Sequence, residues 1–155
     1  MITVRVYGIL INEHNEILVS DELIRGKKIT KFCGGGLEQG EGTRACLQRE
    51  FLEEMNLPIV VNEHVYTTDF YQPSAFKEGD QILSIYYKVA PLVPIAVKLS
   101  TEPFDFDWQQ LALYNTTQQI ENFRFIPLAK FSPNCMTLPI DKHVSTIIVN
   151  NFLLP

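Results

Sequence analysis

The sequence predicts an α/β fold in which a mixed sheet is covered on both faces by helices. Three observations carry that expectation. The chain opens with strict alternation, Ile2, Val4 and Val6 against Thr3, Arg5 and Tyr7, which is the period of a strand. Its middle, Gly42 to Asn56, sets Ala45, Gln48, Phe51, Leu52 and Met55 at steps of three and four, the period of one helix face. Its end, Leu138 to Phe152, repeats helical spacing through Ile140, Val144, Ile147 and Ile148, with Pro139 near the first turn. Strands combined with one central and one C-terminal helix bury both faces of a sheet.

Taken in order, Ile2 to Ile11 and Glu16 to Ser20 flank the polar turn Asn12 to Asn15 and read as an N-terminal hairpin. Asp21 to Lys28 is polar and brings Arg25, Lys27 and Lys28 just ahead of a short strand, Ile29 to Phe32. Three cations there suit a phosphate-bearing ligand, although a solvated loop is the commoner reason for such a run. Pro58 ends the central helix, and Ile59 to Tyr71, rich in Val, Thr and Tyr, is extended. Gln81 to Val89 then pairs with it antiparallel, because the connection Pro73 to Asp80 is too short for a helical crossover. Pro94 to Leu99 allows a further strand. Glu102, Asp105 and Asp107 lead into Trp108 to Gln119, readable as a short helix or as an irregular insertion. Phe123 to Leu128 is a late strand, followed by the C-terminal helix.

A length of 155 residues fits one domain, residues 1–155, able to bury about 70% of its unfolded surface unaided. Three cysteines, Cys33, Cys46 and Cys135, are odd in number and form no C-x-x-C. They argue against a disulfide framework or a zinc site, and for a reducing, cytoplasmic setting. The longest mostly apolar run, Val89 to Val97, is interrupted by Pro91 and Pro94, so no segment serves for export or membrane insertion. The net charge of −5 excludes non-specific grip on a nucleic-acid polymer, and an anionic substrate needs local compensation by a metal or a few basic groups.

The stretch that carries chemistry is Gly34 to Leu57. On the helix face opposite the apolar one stand Glu50, Glu53 and Glu54, within about a third of the circumference. Each such pair repels by about 0.2 to 0.5 kcal/mol, so the three together ask for a cation. Oxygen-only ligands select a hard ion, Mg²⁺ or Mn²⁺. The glycine run Gly34 to Gly36 lets backbone approach a ligand, and one of its carbonyls can join the carboxylates. A solvated helix face or a flexible turn explains either fragment alone, but not the two at fixed spacing.

The pattern G-x5-E-x7-R-E-U-x-E-E-x-G-U, with U aliphatic, reads here as Gly35, Glu41, Arg49, Glu50, Phe51, Glu53, Glu54, Asn56 and Leu57. It resembles the signature of the Nudix hydrolases. Every charged position matches over these 23 residues of 155. Phe51 replaces an aliphatic residue, which alters packing only. Asn56 stands where the family has glycine, and Asn is the next best residue for a left-handed helix end. Cys33 stands where many members have proline.

The resemblance implies an α/β/α sandwich and a divalent-metal-dependent hydrolase that cleaves a pyrophosphate linkage in a nucleoside diphosphate derivative. The substrate would be a nucleoside triphosphate, an ADP-ribose-like compound or a nucleotide sugar. It implies Gly35, Glu50, Glu53 and Glu54 as the metal set, and Glu53, Glu54 and Arg49 as the catalytic set, with Arg49 pinning Glu41 or a neighbouring carboxylate. Family members differ on the general base. Arg5, Arg25, Lys27, Lys28 and Glu121 are candidates for substrate contact. Glu121 enters because acidic residues shortly before the late strand assist the metal site in this family, whose tryptophan corresponds to Phe125. Pro73, 16 residues past Leu57, and Tyr66 and Tyr71 lie close to the family's substrate markers without deciding among them. The partner is a small nucleotide, and a homodimer is compatible with the reading.

Competing schemes fit less well. His14, His64 and His143 lie in separate elements without a nucleophile motif, and no G-K-[ST] follows the glycines. The alternative from another class is a non-catalytic Nudix-like sensor that binds a nucleotide or metabolite. A protein that merely binds divalent metal leaves the glycine loop unexplained.

Overall fold

In the computed structural model, which describes residues 1–152, the element order is β1 (Ile2–Leu10), β2 (Glu16–Ile24), β3 (Lys27–Lys31), β4 (Cys33–Gly36), α1 (Thr43–Met55), β5 (Ile59–Thr67), β6 (Gln81–Pro91), α2 (Trp108–Thr117), β7 (Gln119–Pro127) and α3 (Pro139–Phe152). These form two compact units. Met1–Leu10 and Cys33–Ala96 make the first, and Ile11–Phe32 with Val97 onward make the second. The mixed α/β class agrees with the reading of the sequence, with the strands divided between two sheets.

The first unit holds the mixed sheet, in the order β4-β1-β6-β5. β1 runs parallel to β6, from Ile2 opposite Gln81 to Leu10 opposite Val89, and antiparallel to β4. β5 and β6 are antiparallel as expected, with β5 bulged between Val61 and Tyr66. β5 ends at Thr67, short of the expected Tyr71. α1 buries Cys46, Leu47, Phe51 and Met55. Burial of Leu47, Phe51 and Met55 stabilises the unit by about 1.5 to 3 kcal/mol each. Ala45, Gln48 and Leu52, assigned to that face from periodicity, are exposed. The true stripe is rotated by one residue, because Cys46 and Leu47 are the apolar pair that begins it.

The N-terminal hairpin does not form: β1 pairs with β4 and β6, whereas β2 pairs with β3 and β7. The turn itself is well made, the Asn12 side chain accepting from the His14 and Glu16 amides and the Asn12 amide donating to the Glu16 carbonyl, but ladder pairing across it goes no further than the isolated bridge from Ile11 to Ile17.

The second unit is an antiparallel sheet, β3-β2-β7. The segment expected as a polar loop, Asp21 to Lys28, is mostly strand. β2 continues to Ile24 and turns through Arg25 and Gly26, at φ of 47° and 78°. Two successive positive φ values make the tight turn whose twist matches a hairpin. Thr101 to Glu121 resolves into α2 and the start of β7. The helix opens with a capping box, Asp107 accepting from the Gln110 amide and the Gln110 side chain accepting from the Asp107 amide. Pro94 to Leu99 forms no strand, only an isolated bridge from Leu99 to Phe123. α3 buries Ile140, Val144 and Ile148 of the four residues its spacing marks, and leaves Ile147 half-buried.

Asn56 ends α1 at φ 49° and ψ 38°, its amide donating to the Leu52 carbonyl at 3.0 Å. Since glycine reaches the left-handed region without the Cβ penalty, Asn56→Gly should leave stability unchanged or slightly raised. Asn56→Val, β-branched, should lower it by about 1 to 2 kcal/mol, read by urea unfolding.

Candidate active site

The site is built where β4 and α1 meet. β4 supplies backbone without side chains: Gly34 lies opposite Tyr7 and Gly35 opposite Val6. Gly34 has φ 153°, and a Cβ there would overlap the Val6 carbonyl oxygen. At Gly35 a Cβ would overlap the carboxylate of Glu50. The glycines thus admit a close strand and let an acidic group lie flat against the backbone.

Arg49 gathers the charges. Its Nε donates to Glu41 Oε2 at 3.0 Å and its Nη2 to Glu41 Oε1 at 2.7 Å, a bidentate pair. Nη1 donates to Glu50 Oε1 at 3.0 Å and to Glu53 Oε2 at 3.2 Å, and Nη2 also reaches the Gly36 carbonyl at 3.0 Å. Glu38 lies 3.6 Å from Nη1. The expected pinning of Glu41 by Arg49 is therefore present, and the Gly36 carbonyl and Glu38 are contacts that periodicity does not signal. The side chain of Glu50 is 13% exposed and that of Glu53 58% exposed, so the two carboxylates differ in access to solvent. Glu54 is half-buried on the same helix.

Hydrogen bonds from Arg49, and then from the backbone of Glu38, hold the Glu41 carboxyl down at about 2. The hydrogen bond with Glu41, and after it those with Glu50 and Glu53, raise Arg49 above its ordinary value against the opposing effect of burial. Burial, followed by the hydrogen bond with Glu41, pushes the Cys46 thiol up to about 12. Cys46 is therefore a protonated, buried small residue at neutral pH and not a nucleophile.

Among the described residues no three His, Cys, Asp or Glu side chains are gathered to enclose a metal ion. Glu50 and Glu53 turn instead to Arg49, which takes up their charge. The donor chemistry nevertheless fits a hard divalent ion, because it is all carboxylate and because the backbone at Gly35 leaves room for the Glu50 oxygens.

Of the substrate candidates, Arg5 belongs to this unit. It lies opposite Gly36 on β1, and its Nε donates to the Tyr7 hydroxyl at 2.6 Å. Arg25, Lys27 and Lys28 are exposed at the β2–β3 turn of the second unit, where Lys28 Nζ sits 5.6 Å from the Phe104 ring centre. Glu121 is not a loop carboxylate. It sits within β7, directly opposite Glu22, accepts from the Ser20 hydroxyl at 2.5 Å and lies 3.8 Å from Lys31 Nζ. With Glu22, Thr117, Gln119 and Ile120 it lines a cavity of about 270 Å³.

The profile of the NUDIX domain family matches residues 1–137. No curated protein matches the chain. Among solved structures, a NUDIX hydrolase from Nitrosomonas europaea superposes with TM-score 0.67 at 15% identity, covering 95% of this chain and 88% of that one. The MutT protein from Methanosarcina mazei Go1 gives 0.66 at 18% identity, covering 97% and 96%. An ADP-ribose pyrophosphatase from Streptococcus suis 89-1591 gives 0.59 at 11% identity, covering 96% and 92%. At these identities the likeness is one of fold.

The depressed Glu41 value fixes a pH dependence. The stability contributed by the Glu41–Arg49 pair is complete above about 4.5 and is lost as pH falls toward about 2. In acid titrations followed by circular dichroism, the difference in stability between wild type and Glu41→Gln should narrow across that window and stay constant above it.

Proposed function

Since the chain belongs to the NUDIX domain family and is on that ground a Nudix-type pyrophosphohydrolase, we propose that it cleaves a pyrophosphate linkage in a nucleoside diphosphate derivative with Mg²⁺ or Mn²⁺. The observation that carries this reading is the joint built by Arg49, which engages both Glu53 and Glu50, the latter lying against the side-chain-free backbone of Gly35. Glu50, Glu53 and Glu54, with the Gly35 backbone, are the groups that would hold the ion. Once bound, the ion would neutralise the bridging phosphates and polarise phosphorus for attack.

The protein's own residues divide the remaining work. Glu53, more exposed than Glu50, would take a proton from the attacking water at Oε1, since Oε2 is engaged by Arg49. Glu54 would share the metal, or serve as base where Glu53 is committed to it. Arg49 acts by position, not by touching substrate. Arg5, facing Gly36, is the basic group best placed in this unit to meet a phosphate.

Both the nucleoside triphosphate and the ADP-ribose readings are in keeping with the names of similar folds, a MutT protein and an ADP-ribose pyrophosphatase. The family profile runs through both compact units, which supports one domain over residues 1–155. No described helix is long and apolar enough to cross a membrane, and the three cysteines form no disulfide among the described residues. Both features are in keeping with a cytoplasmic protein.

The test is a panel of nucleoside triphosphates, ADP-ribose and nucleotide sugars with Mg²⁺ or Mn²⁺. Wild type should release phosphate, pyrophosphate or a nucleoside monophosphate from at least one of them, and chelator should stop it. Glu53→Gln and Glu54→Gln should each lower kcat by about 10²-fold or more while the fold is kept. Tight binding across the panel with no product from wild type would leave a nucleotide-binding module as the better account.

A further inference from the structure

Arg5 and Tyr7 alternate with Val6 along β1 and so share one face of the first sheet. α1 packs on the other face, where a Cβ at Gly8 would meet Phe51 and one at Gly35, opposite Val6, would meet Glu50. Tyr7 is buried opposite the fully buried Tyr86, the two rings stacked with 5.4 Å between centres and 30° between planes. That stacking fixes the Tyr7 ring, and its hydroxyl with it. Arg5 is half-buried beside the ring, its Nε donating to the hydroxyl at 2.6 Å and its Cζ 5.6 Å from the ring centre. Its partners across the sheet are Gly36 and Ser84, neither with a side chain large enough to cover a guanidinium. Nη1 comes within 3.9 Å of where a Cβ would stand on Gly36, whose carbonyl accepts from Arg49 Nη2. One glycine thus meets the Arg49 joint through its carbonyl and Arg5 on its bare face.

We propose that Tyr7 is a positioning residue for phosphate recognition: its buried hydroxyl engages Arg5 Nε and so sets the guanidinium to meet a substrate phosphate through Nη1 and Nη2 beside Gly36. The proposal rests on the reading of Arg5 as the phosphate-contacting group of this unit. A guanidinium can take a phosphate side-on, through Nε and one Nη, or end-on, through both Nη atoms. Tyr7 occupies the Nε edge, so the end-on approach is the one used. A phenol oxygen holds that edge without cancelling the positive charge, whereas a carboxylate in its place would neutralise it, as Glu41 does for Arg49. The ring contact and the hydrogen bond together restrict a side chain that is otherwise rich in rotamers, so less freedom is lost when the ligand arrives.

The test measures binding of methylenediphosphonate, a non-hydrolysable form of the pyrophosphate common to all the candidate substrates, by calorimetry on the full chain with excess Mg²⁺. Tyr7→Phe keeps the ring and its stacking on Tyr86 and removes the hydroxyl alone. It should weaken binding by about two- to tenfold, the scale of one long side chain left to be ordered by the ligand. Arg5→Ala should weaken it by at least about tenfold, as loss of a charge-assisted hydrogen bond does. Tyr7→Phe added to Arg5→Ala should have no further effect, because Tyr7 acts only through Arg5. Circular dichroism checks that each variant keeps its fold. Wild-type affinity in Tyr7→Phe, even with a lowered melting temperature, overturns the proposal, since the hydroxyl would then serve structure alone. An equal loss from Tyr7→Phe with and without Arg5 also overturns it, as do unchanged binding in Arg5→Ala and absence of binding by wild type. Turnover takes no part in this cycle, so a chain that cleaves nothing in the substrate panel can still show the coupling, and an active hydrolase can fail to show it.

Discussion

The guanidinium of Arg49 is the contact on which the geometry of the first unit depends. Three structural pieces end on it: the loop through Glu41, the strand β4 through the Gly36 carbonyl, and the helix α1 through Glu50 and Glu53. Only a planar fork with several donors can satisfy a bidentate carboxylate and reach two further acidic groups and a carbonyl at once. A lysine would offer one point of charge. The arrangement also offsets the repulsion that Glu50 and Glu53 would otherwise exert on each other, so an acidic helix face is tolerable in the protein alone.

That joint works because the backbone around it is spare. β4 carries glycine at the two positions where a side chain would collide, Gly34 with β1 and Gly35 with the Glu50 carboxylate. α1 is in turn held by its buried stripe and stopped by Asn56, after which Leu57 is again buried. The acidic groups are thus carried on an element fixed along its buried face and at its C-terminal end, the condition under which side chains keep a productive position.

The second unit handles charge differently, by burying it in pairs. Asp21 is fully buried and accepts from Arg124 Nε at 2.5 Å, from Arg124 Nη2 at 3.2 Å and from the Thr30 hydroxyl at 2.6 Å. Removing one partner would leave a buried charge at a cost on the order of 3 to 5 kcal/mol. On adjoining positions of the same strands, Glu22 accepts from Gln119 and Glu121 from Ser20, with Lys31 nearby. Alternation along β2 and β7 sends these two sets to opposite faces, so a single three-stranded sheet carries polar clusters on both sides.

The sequence by itself determined the helix α1, its acidic residues, its end at Asn56, the terminal helix α3, the antiparallel pairing of β5 with β6 and the family. All of these rest on short-range signals: a period, a cap, a loop too short to cross, or a motif of fixed offsets. Asp107 and Gln110 were another such signal, a capping box that marks α2 unambiguously once its three-residue spacing is noticed. What only the tertiary structure decided is partner choice. β1 and β2 are neighbours in sequence with a good turn between them, yet they join different sheets, because pairing is settled by which distant strands bury each edge. The same holds for side chains. Glu121 is on a strand facing Glu22, and Arg49 meets the Gly36 carbonyl and Glu41, because strand register and the approach of α1 to β4 bring together residues that helical periodicity does not link.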